Sequence, residues 1–338
     1  MPCKVCGQLG LPLRLGFPIG PIFALRALVL ISESSSAFLA PPNTPLPGKR
    51  RSAKALDKTA PNTKPMKKQN NKATASAVEN SQEQKTGFAE YAPCSYNPGV
   101  GCSNDCIYCC IRHYAMGFRR VESREDWAKE RLKEPLPRIR KFSGMVMVPT
   151  NHDITPFYLP TIEAQVKALL EVGNQVLLVT KPHFDCVRRL CTSLAPYKQQ
   201  VIWRFTIGTL DRKLTKLWEP GAPIPAERVA CLKHAFHRGF ETSVSMEPLL
   251  AGTEDALVTF HKLIPFVTET IWIGKMNHLN RWGPATPEIA AACWYIRKLQ
   301  CDEAILDLVR RLGGHPQVRW KDSIRQVISN RELPTCRH

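Results

Sequence analysis

Short apolar runs rich in β-branched residues alternate with amphipathic segments from Gly87 onward. Five runs, each bounded by turn residues, have the composition of buried parallel strands: residues 145–148, 175–180, 201–207, 242–246 and 270–274. Between these runs lie segments whose apolar residues recur with a helical period: residues 161–172, 184–194, 226–238 and 254–266. Gly173 and Gly239 follow two of these segments, where C-terminal caps are expected. The alternation predicts an α/β fold with a parallel sheet or barrel, whose chemistry gathers at the carboxyl ends of the strands.

Composition places this sheet in a globular protein. The chain has 338 residues, of which 43% are hydrophobic, and this excludes a fully disordered or fibrous protein. Its net charge is +18, but the first 85 positions hold 13 basic and only 4 acidic residues, so half of the excess lies there. The remainder is mildly basic, and the total charge is therefore weak evidence for nucleic-acid binding.

The first 86 residues differ in composition from the rest of the chain. An apolar stretch at 15–32 is interrupted by Pro18, Pro21 and Arg26, which makes it a poor membrane span. The small residues that follow, and Phe38 after Ala37, resemble the signal-peptide junction of plastid-targeted proteins in algae with secondary plastids. Residues 42–85 have the composition of a transit peptide or of a disordered linker. We therefore expect a targeting segment or a disordered tail, and a soluble protein of a reducing compartment, either the cytoplasm or the plastid stroma.

Four of the 13 cysteines lie within nine positions, which disfavours mutual disulfides and favours metal or cluster ligation. Cys102, Cys106 and Cys109 form a CxxxCxxC triplet on a loop before the first helical segment. Three thiolates on such a loop can hold three corners of a 4Fe-4S cluster and leave the fourth iron open to another ligand. Zinc, with Cys110 or His113 as fourth ligand, and unligated structural cysteines are the alternatives.

A series of motifs carries a family resemblance. They are Asn97-Pro-Gly-Val-Gly-Cys-Ser-Asn-Asp-Cys-Ile-Tyr-Cys109, Thr150-Asn-His-Asp-Ile154, Leu178-Val-Thr-Lys181, Arg204-Phe-Thr-Ile207 and Leu217-Trp-Glu-Pro-Gly221. Together they resemble the radical S-adenosylmethionine superfamily, and within it the spore photoproduct lyase-like or DNA repair photolyase-like group. The resemblance implies a partial (β/α)6 barrel, a cluster chelated by S-adenosylmethionine, and reductive cleavage of that cofactor to a 5′-deoxyadenosyl radical. It also implies an external electron donor of the flavodoxin or ferredoxin type.

Most of the candidate site residues lie in these motifs, and the others lie on or shortly after the predicted strands 242–246 and 270–274. Cys102, Cys106 and Cys109 are the predicted cluster ligands and the predicted catalytic residues. The candidate cofactor-binding residues are Tyr108, Asn151, Asp153, Lys181, Thr206, Ser243, Ser245 and Glu247, and the weaker candidates are His152, Lys275 and Asn277.

Several of these candidates are supported by their positions on or at the ends of predicted strands. Lys181 ends an apolar strand, where its ammonium could pair with the methionyl carboxylate or, alternatively, lie in solvent. Arg204 and Thr206 share one strand face, and an inward Arg204 needs an anion, which an internal carboxylate or the substrate would supply. Ser243 and Ser245 also share one face, which period two places either inside or outside a barrel.

Two positions depart from the photoproduct lyase pattern. The hydrogen-donating cysteine of that enzyme aligns with Thr150, which argues against repair of thymine dimers by the same route. Cys110 stands where the group commonly has an aromatic residue, and it is either an incidental small residue, a spare ligand or a radical relay.

The chain is expected to divide into residues 1–86, a core at 87–284 and a small helical extension at 285–338. The extension contains helical patterns at 287–300 and 302–311, and it is expected to close the barrel mouth or to bind substrate. Its tryptophans and basic residues suit either nucleic-acid contact or an ordinary core with a solvated face. The predicted function is that of a radical S-adenosylmethionine enzyme whose substrate the sequence leaves open, with a nucleic acid as one candidate. The alternative is a non-catalytic iron–sulfur or zinc protein that binds nucleic acid as a regulator.

Overall fold

The computed structural model describes residues 87–277, 279 and 286–332. The predicted targeting or disordered segment lies outside the described residues. In the described part, no helix is long and apolar enough to cross a membrane.

Seven parallel strands form the main sheet, and a separate antiparallel pair lies beside it. In chain order the nine strands are β1 (Cys94–Ser95), β2 (Gly99–Val100), β3 (Arg131–Leu132), β4 (Val146–Val148), β5 (Val176–Thr180), β6 (Val201–Thr206), β7 (Glu241–Met246), β8 (Ile271–Ile273) and β9 (Val318–Trp320). The main sheet has the order β1-β4-β5-β6-β7-β8-β9, with every neighbouring pair parallel, and β2 pairs with β3. The sheet curls into a half-barrel, which confirms the predicted partial barrel of α/β type.

Helices lie between the strands, as the sequence predicts. They are α1 (Cys110–Gly117), α2 (Arg124–Ala128), α3 (Leu159–Glu171), α4 (Phe184–Ser193), α5 (Arg212–Trp218), α6 (Pro225–His237), α7 (Thr253–Leu263), α8 (Pro287–Leu299), α9 (Asp302–Leu312) and α10 (Asp322–Glu332). Gly173 and Gly239 follow α3 and α6 with φ of +82° and +76°. Their N–H groups donate to the carbonyls of Leu170 and Phe236, so both glycines occupy the predicted left-handed caps.

The five predicted strands are confirmed to within one residue at either end. Two edge strands were not predicted: β1 has two residues and β9 has three, and neither is long enough to show a period. Because β9 pairs with β8, the segment 286–332 contributes a strand to the main sheet in addition to its helices.

The two faces of the sheet differ in chemistry. Trp203 and Phe205 point to the convex face, where they stack at 5.5 Å between ring centroids within the main apolar core under the helices. The alternate residues of the same strand, Arg204 and Thr206, point to the concave face. Because side chains alternate along a strand, the apolar runs that bury one face also deliver polar groups to the barrel interior.

Candidate active site

The cysteine loop begins at a glycine that no other residue could replace. Gly101 has a φ of +90°, and a Cβ atom there would lie 2.1 Å from the carbonyl oxygen of Lys129. The next residue, Cys102, donates its N–H to the carbonyl of Trp127 at 2.9 Å. The backbone of 127–129 therefore fixes where the first thiol enters the loop.

Two arginines hold the turn inside the loop. Asp105 adopts a φ of 43°, a region that aspartate tolerates better than most residues. Its carboxylate accepts from Arg112 at 3.0 Å and from Arg124 at 2.7 Å. Arg112 also donates to the carbonyl of Ile107 at 2.9 Å, so the side chain of the first helix braces the loop on both sides of Cys106.

The three predicted ligands lie on one loop and are free thiols. Cys106 is buried, whereas Cys102 and Cys109 are half-buried, and the Cys109 sulfur accepts the N–H of Arg112 at 3.3 Å at the start of α1. Burial raises the pKa of Cys106 to about 12 and raises the pKa of the other two. Burial contributes most to the raised pKa of Cys102, and the neighbouring Asp153, Cys106 and Cys109 raise it further.

Single metal ions and 4Fe-4S clusters place different demands on the cysteines that bind them. In the described part of the chain, no three His, Cys, Asp or Glu side chains converge on one point in the way that a mononuclear metal requires. The thiolates of a 4Fe-4S cluster each bind a different iron, so they need only surround the cluster. Metal binding would also remove the thiol protons that burial otherwise retains.

The Leu217–Gly221 motif forms the wall behind the loop. The N–H of Ile107 donates to the carbonyl of Trp218 at 2.8 Å, and the N–H of Gly221 donates to the carbonyl of Asn104 at 3.1 Å. A Cβ atom on Gly221 would lie 2.0 Å from the carbonyl oxygen of Ser103. Gly221 is therefore required because two backbone segments that are far apart in sequence approach each other closely at this point.

A buried triad links Tyr108 to the barrel. The Tyr108 hydroxyl donates to Glu219, and Glu219 pairs with Arg228 at 2.5 Å, with both charged side chains almost fully buried. Arg228 in turn donates to the carbonyl of Thr206 at 3.2 Å. Tyr108 was predicted to bind cofactor, and that role stays a prediction; its hydroxyl is engaged within the protein. Arg228 was missed because a helical arginine has no distinctive sequence signal.

Lys181 lies beside the loop, at the end of β5. Its ammonium is 5.8 Å from the centroid of the Tyr108 ring, and no carboxylate within the described residues lies within ion-pair distance of it. Burial alone would lower the pKa of Lys181, but the negative charges of Cys106 and Glu219 raise it above its ordinary value. The structure therefore presents a charged ammonium next to the central cysteine.

Asp153 ties the cysteine loop to the sheet. One oxygen accepts from the Asn104 side chain at 2.7 Å, and the carboxylate also accepts from the Thr180 hydroxyl and from the N–H of Lys181 at 3.0 Å. Because both oxygens are engaged by protein donors, Asp153 positions Lys181 relative to the loop. A direct contact of Asp153 with the cofactor stays a prediction.

Asn151 presents an unpaired acceptor near this point. Asn97, the first residue of the long motif, accepts the N–H groups of Thr150 and Asn151 and donates to the Thr150 hydroxyl at 2.7 Å. The side-chain oxygen of Asn151 is buried and has no hydrogen-bond partner among the described residues. A buried acceptor of this kind is costly unless a ligand satisfies it.

His152 is held as a neutral loop histidine. Its Nε2 accepts the N–H of Gly99 at 3.2 Å, and its Nδ1 lies 3.0 Å from the carbonyl oxygen of Asp153. Burial lowers the pKa of His152 to about 4. Both ring nitrogens of His152 are therefore engaged within the protein.

Arg204 points into the barrel, the direction in which it was expected to need an anion. Its Nε donates to Ser243 at 2.9 Å, and its guanidinium lies over the rings of Tyr91 and Trp272. Burial lowers the pKa of Arg204 to about 10. One terminal nitrogen of the guanidinium is buried without a hydrogen-bond partner, and no carboxylate of the described residues lies within 4 Å. The anion that an inward Arg204 was expected to need is therefore not supplied by the described protein groups.

Ser245 and Glu247 share the concave face with residues from both ends of the core. The Tyr91 hydroxyl donates to Glu247 and lies 3.4 Å from the Ser245 hydroxyl. Lys321 lies 3.5 Å from Glu247 and pairs with Glu90 at 2.8 Å. Burial is the main reason that the pKa of Glu247 is raised.

The remaining candidates are spread more widely. Thr206 is buried opposite Ser245 in the sheet register, near the carboxyl ends of β6 and β7. Lys275 instead pairs with Asp302 at 3.3 Å, and Asn277 is exposed beside it. A role for Lys275 and Asn277 in cofactor binding stays a prediction.

Comparisons with known proteins give distant likenesses. No family model matches the sequence. The uncharacterized protein ORF301 of Acidianus two-tailed virus is 28% identical over 166 residues, which cover 45% of this chain and 54% of that protein. The chain thus matches about half the length of this curated relative.

Two solved structures are similar to part of the chain. SuiB of Streptococcus suis bound to S-adenosylmethionine has a TM-score of 0.43 at 12% identity, covering 67% of this chain and 49% of that one. A spore photoproduct lyase variant with bound AdoMet and dinucleoside spore photoproduct has a TM-score of 0.45 at 13% identity, covering 67% and 75%.

Proposed function

We propose that the chain is a radical S-adenosylmethionine enzyme. The observation that carries the proposal is the grouping of three thiols, Cys102, Cys106 and Cys109, on one braced loop at the carboxyl edge of a parallel half-barrel, with the unpaired ammonium of Lys181 beside them. The donor chemistry fits a 4Fe-4S cluster, and the strand ends fit a cofactor with carboxylate, amino and ribose groups.

The chain's own residues would divide the binding of S-adenosylmethionine. Lys181 would pair with the methionyl carboxylate, and the buried oxygen of Asn151 would accept from the amino group. Thr206 and Ser245, which are register partners at neighbouring strand ends, would offer hydroxyl groups to the ribose. Asp153 would act as a positioning residue, since it joins the backbone of Lys181 to the loop through Asn104.

When bound, the cluster and S-adenosylmethionine supply a one-electron cleavage of a carbon–sulfur bond. The protein's part is orientation and exclusion of water. Cys106 and the neighbouring Ile107 are buried, and Ile107 packs with Trp218, Leu250 and Met276 in an apolar cluster behind the loop. That apolar wall would keep solvent from the site during the reaction. The electron is expected from an external donor of the flavodoxin or ferredoxin type.

The residue at position 150 argues against the photoproduct as substrate. Position 150, where the hydrogen-donating thiol was expected, carries a threonine whose hydroxyl accepts from Asn97 at 2.7 Å. Thr150 is therefore part of the clamp that holds Asn151, and it has no sulfur to donate hydrogen. We propose a radical reaction on another substrate.

Anaerobic reconstitution with iron and sulfide tests the proposal. The full chain should bind about four irons per molecule and release 5′-deoxyadenosine from S-adenosylmethionine under a strong reductant. The Cys106→Ala variant should form no 5′-deoxyadenosine. The control variant Cys301→Ala, which changes an exposed cysteine directly before α9, should still form it. An iron-free protein that binds zinc instead would favour the non-catalytic alternative.

A further inference from the structure

A basic cavity lies at the β1 edge of the main sheet, apart from the cysteine loop. It has a volume of 560 Å³, within the range that holds small ligands. Three segments line it, namely residues 95–97 after β1, residues 133–138 after β3, and residues 140–142 before β4. Its position was not expected from the sequence, because these segments show no motif in common.

Three cations line this cavity and no acidic residue does. They are Lys133, Arg138 and Arg140. Among the residues that the structure describes, no carboxylate lies within 4 Å of any of these three side chains. By contrast, Arg124 and Arg131, from the same part of the chain, both form ion pairs with aspartates. The lining of the cavity therefore carries an excess of positive charge.

The walls of the cavity are fixed by hydrogen bonds. The Tyr96 hydroxyl donates to the carbonyl of Pro137 at 2.8 Å, and the N–H of Lys133 donates to the carbonyl of Pro98 at 2.9 Å. Asn174 accepts the N–H of Phe142 at 2.8 Å and donates to the carbonyl of Arg140 at 2.9 Å. These contacts hold the three segments in register, so the cations are presented on a preformed surface.

We propose that this cavity binds a phosphate-bearing ligand. Two guanidinium forks and one ammonium match the charge and geometry of phosphate oxygens better than they match a single carboxylate. An anion with more than one charge would also neutralise a cationic lining that has no acidic residue.

The cavity adjoins the proposed cofactor site through one residue. Asn97 lines the cavity and also accepts the N–H groups of Thr150 and Asn151. A ligand seated among the cations would therefore contact the same segment that positions Asn151. The inference goes beyond the proposed function, since phosphate binding here requires neither a cluster nor S-adenosylmethionine.

Binding measurements on the full chain, without reconstitution, test the proposal. Pyrophosphate is titrated by calorimetry, and a fluorescein-labelled oligonucleotide of ten thymidines is titrated by anisotropy at several salt concentrations. The test variant is Arg138→Gln with Arg140→Gln, which removes two exposed guanidinium groups and retains the backbone contacts of the wall. The control variant is Arg212→Gln with Arg238→Gln, which removes the same charge from exposed positions on other helices.

We expect the test variant to weaken binding of at least one probe by tenfold or more, and the control variant to change it less than twofold. If the test variant binds pyrophosphate more weakly, the ligand is a small phosphorylated compound. If only binding of the oligonucleotide is weakened, and its salt dependence is lower in the test variant, the phosphates are those of a nucleic acid. Absence of binding of both probes to the wild type, or equal losses in the two variants, would overturn the proposal. Thermal unfolding of each variant confirms that the comparison concerns folded protein.

Discussion

Glu219 and Arg228 form an ion pair at 2.5 Å in the fully buried wall behind the cysteine loop. The pair connects Tyr108 on the loop to the carbonyl of Thr206 on β6. A buried pair contributes little when compared with apolar residues, but removal of one partner leaves an uncompensated charge in the interior. This contact therefore makes the position of the loop depend on an intact pair.

Replacement of one partner should destabilise the protein. Arg228→Met should lower the free energy of unfolding by about 3 to 5 kcal/mol, because Glu219 would remain buried and unpaired. Urea denaturation measures the change, with the exposed substitution Lys213→Met as control. The double variant Glu219→Leu with Arg228→Met should recover part of the loss. A cost below about 1 kcal/mol for the single variant would contradict the burial of this pair.

A methyl group on Gly221 should displace the cysteine loop. In Gly221→Ala the new Cβ atom would meet the carbonyl oxygen of Ser103 at 2.0 Å, so one of the two backbones must shift. We expect iron bound after reconstitution to fall at least several-fold. Gly117→Ala is the matched control, since nothing lies within 4 Å of a Cβ atom there. Equal iron content in the two variants would show that the loop does not depend on this approach.

Lys181 should govern the affinity for S-adenosylmethionine without governing cluster assembly. Lys181→Met removes the ammonium beside Cys106, and we expect the dissociation constant for S-adenosylmethionine to rise tenfold or more, because a charge-assisted pair is lost. Iron content should stay close to that of the wild type. Lys181→Arg, which keeps the charge, should recover part of the affinity. Calorimetric titration of the reconstituted protein separates these outcomes; an unchanged constant in Lys181→Met would place the carboxylate elsewhere.

The carboxyl group of Asp255, which lies away from the candidate site, should make the stability of the protein depend on pH. Burial, together with the nearby charge of Asp211, raises the pKa of Asp255 to about 6, although the Thr209 hydroxyl donates to it at 2.9 Å. Since the folded pKa lies above the unfolded value of 3.8, the folded protein holds this proton over a range where the unfolded chain has lost it. The stabilisation from this group is therefore complete below about pH 4 and lost as the pH rises to about 6.

The size of this effect is up to about 3 kcal/mol, from the two-unit difference in pKa. It is measured as the difference between wild type and Asp255→Asn in urea denaturation at pH 4, 5, 6 and 7. The wild type should lose stability relative to the variant between pH 4 and 6, and the difference should be constant above that range. A difference that grows in favour of the wild type with rising pH would contradict the sign.

The parallel half-barrel was predictable because the strands β4 to β8 are buried on both faces or on one, and this burial leaves apolar runs in the sequence. The glycines at 173 and 239 marked the ends of two helices for an equally local reason. The edge strand β9 was not predictable, because three residues at a sheet edge carry no period, and pairing with β8 is a tertiary property.

The site was predictable only in part. The inward direction of Arg204, Ser243 and Ser245 followed from period two once the sheet was known, and the sequence alone left both faces open. The partners Tyr91 and Lys321 were missed, since they come from opposite ends of the core and meet only when the barrel curls. The role of Asp153 as a brace was likewise missed, because its donors Asn104 and Thr180 are distant in sequence.

Electron paramagnetic resonance of the reduced, reconstituted chain tests the central claim most directly. The account predicts the spectrum of a reduced four-iron cluster whose shape changes when S-adenosylmethionine is added, because an iron without a cysteine ligand is open to the cofactor. A spectrum that is the same with and without S-adenosylmethionine, or a protein that binds no iron under these conditions, would contradict it.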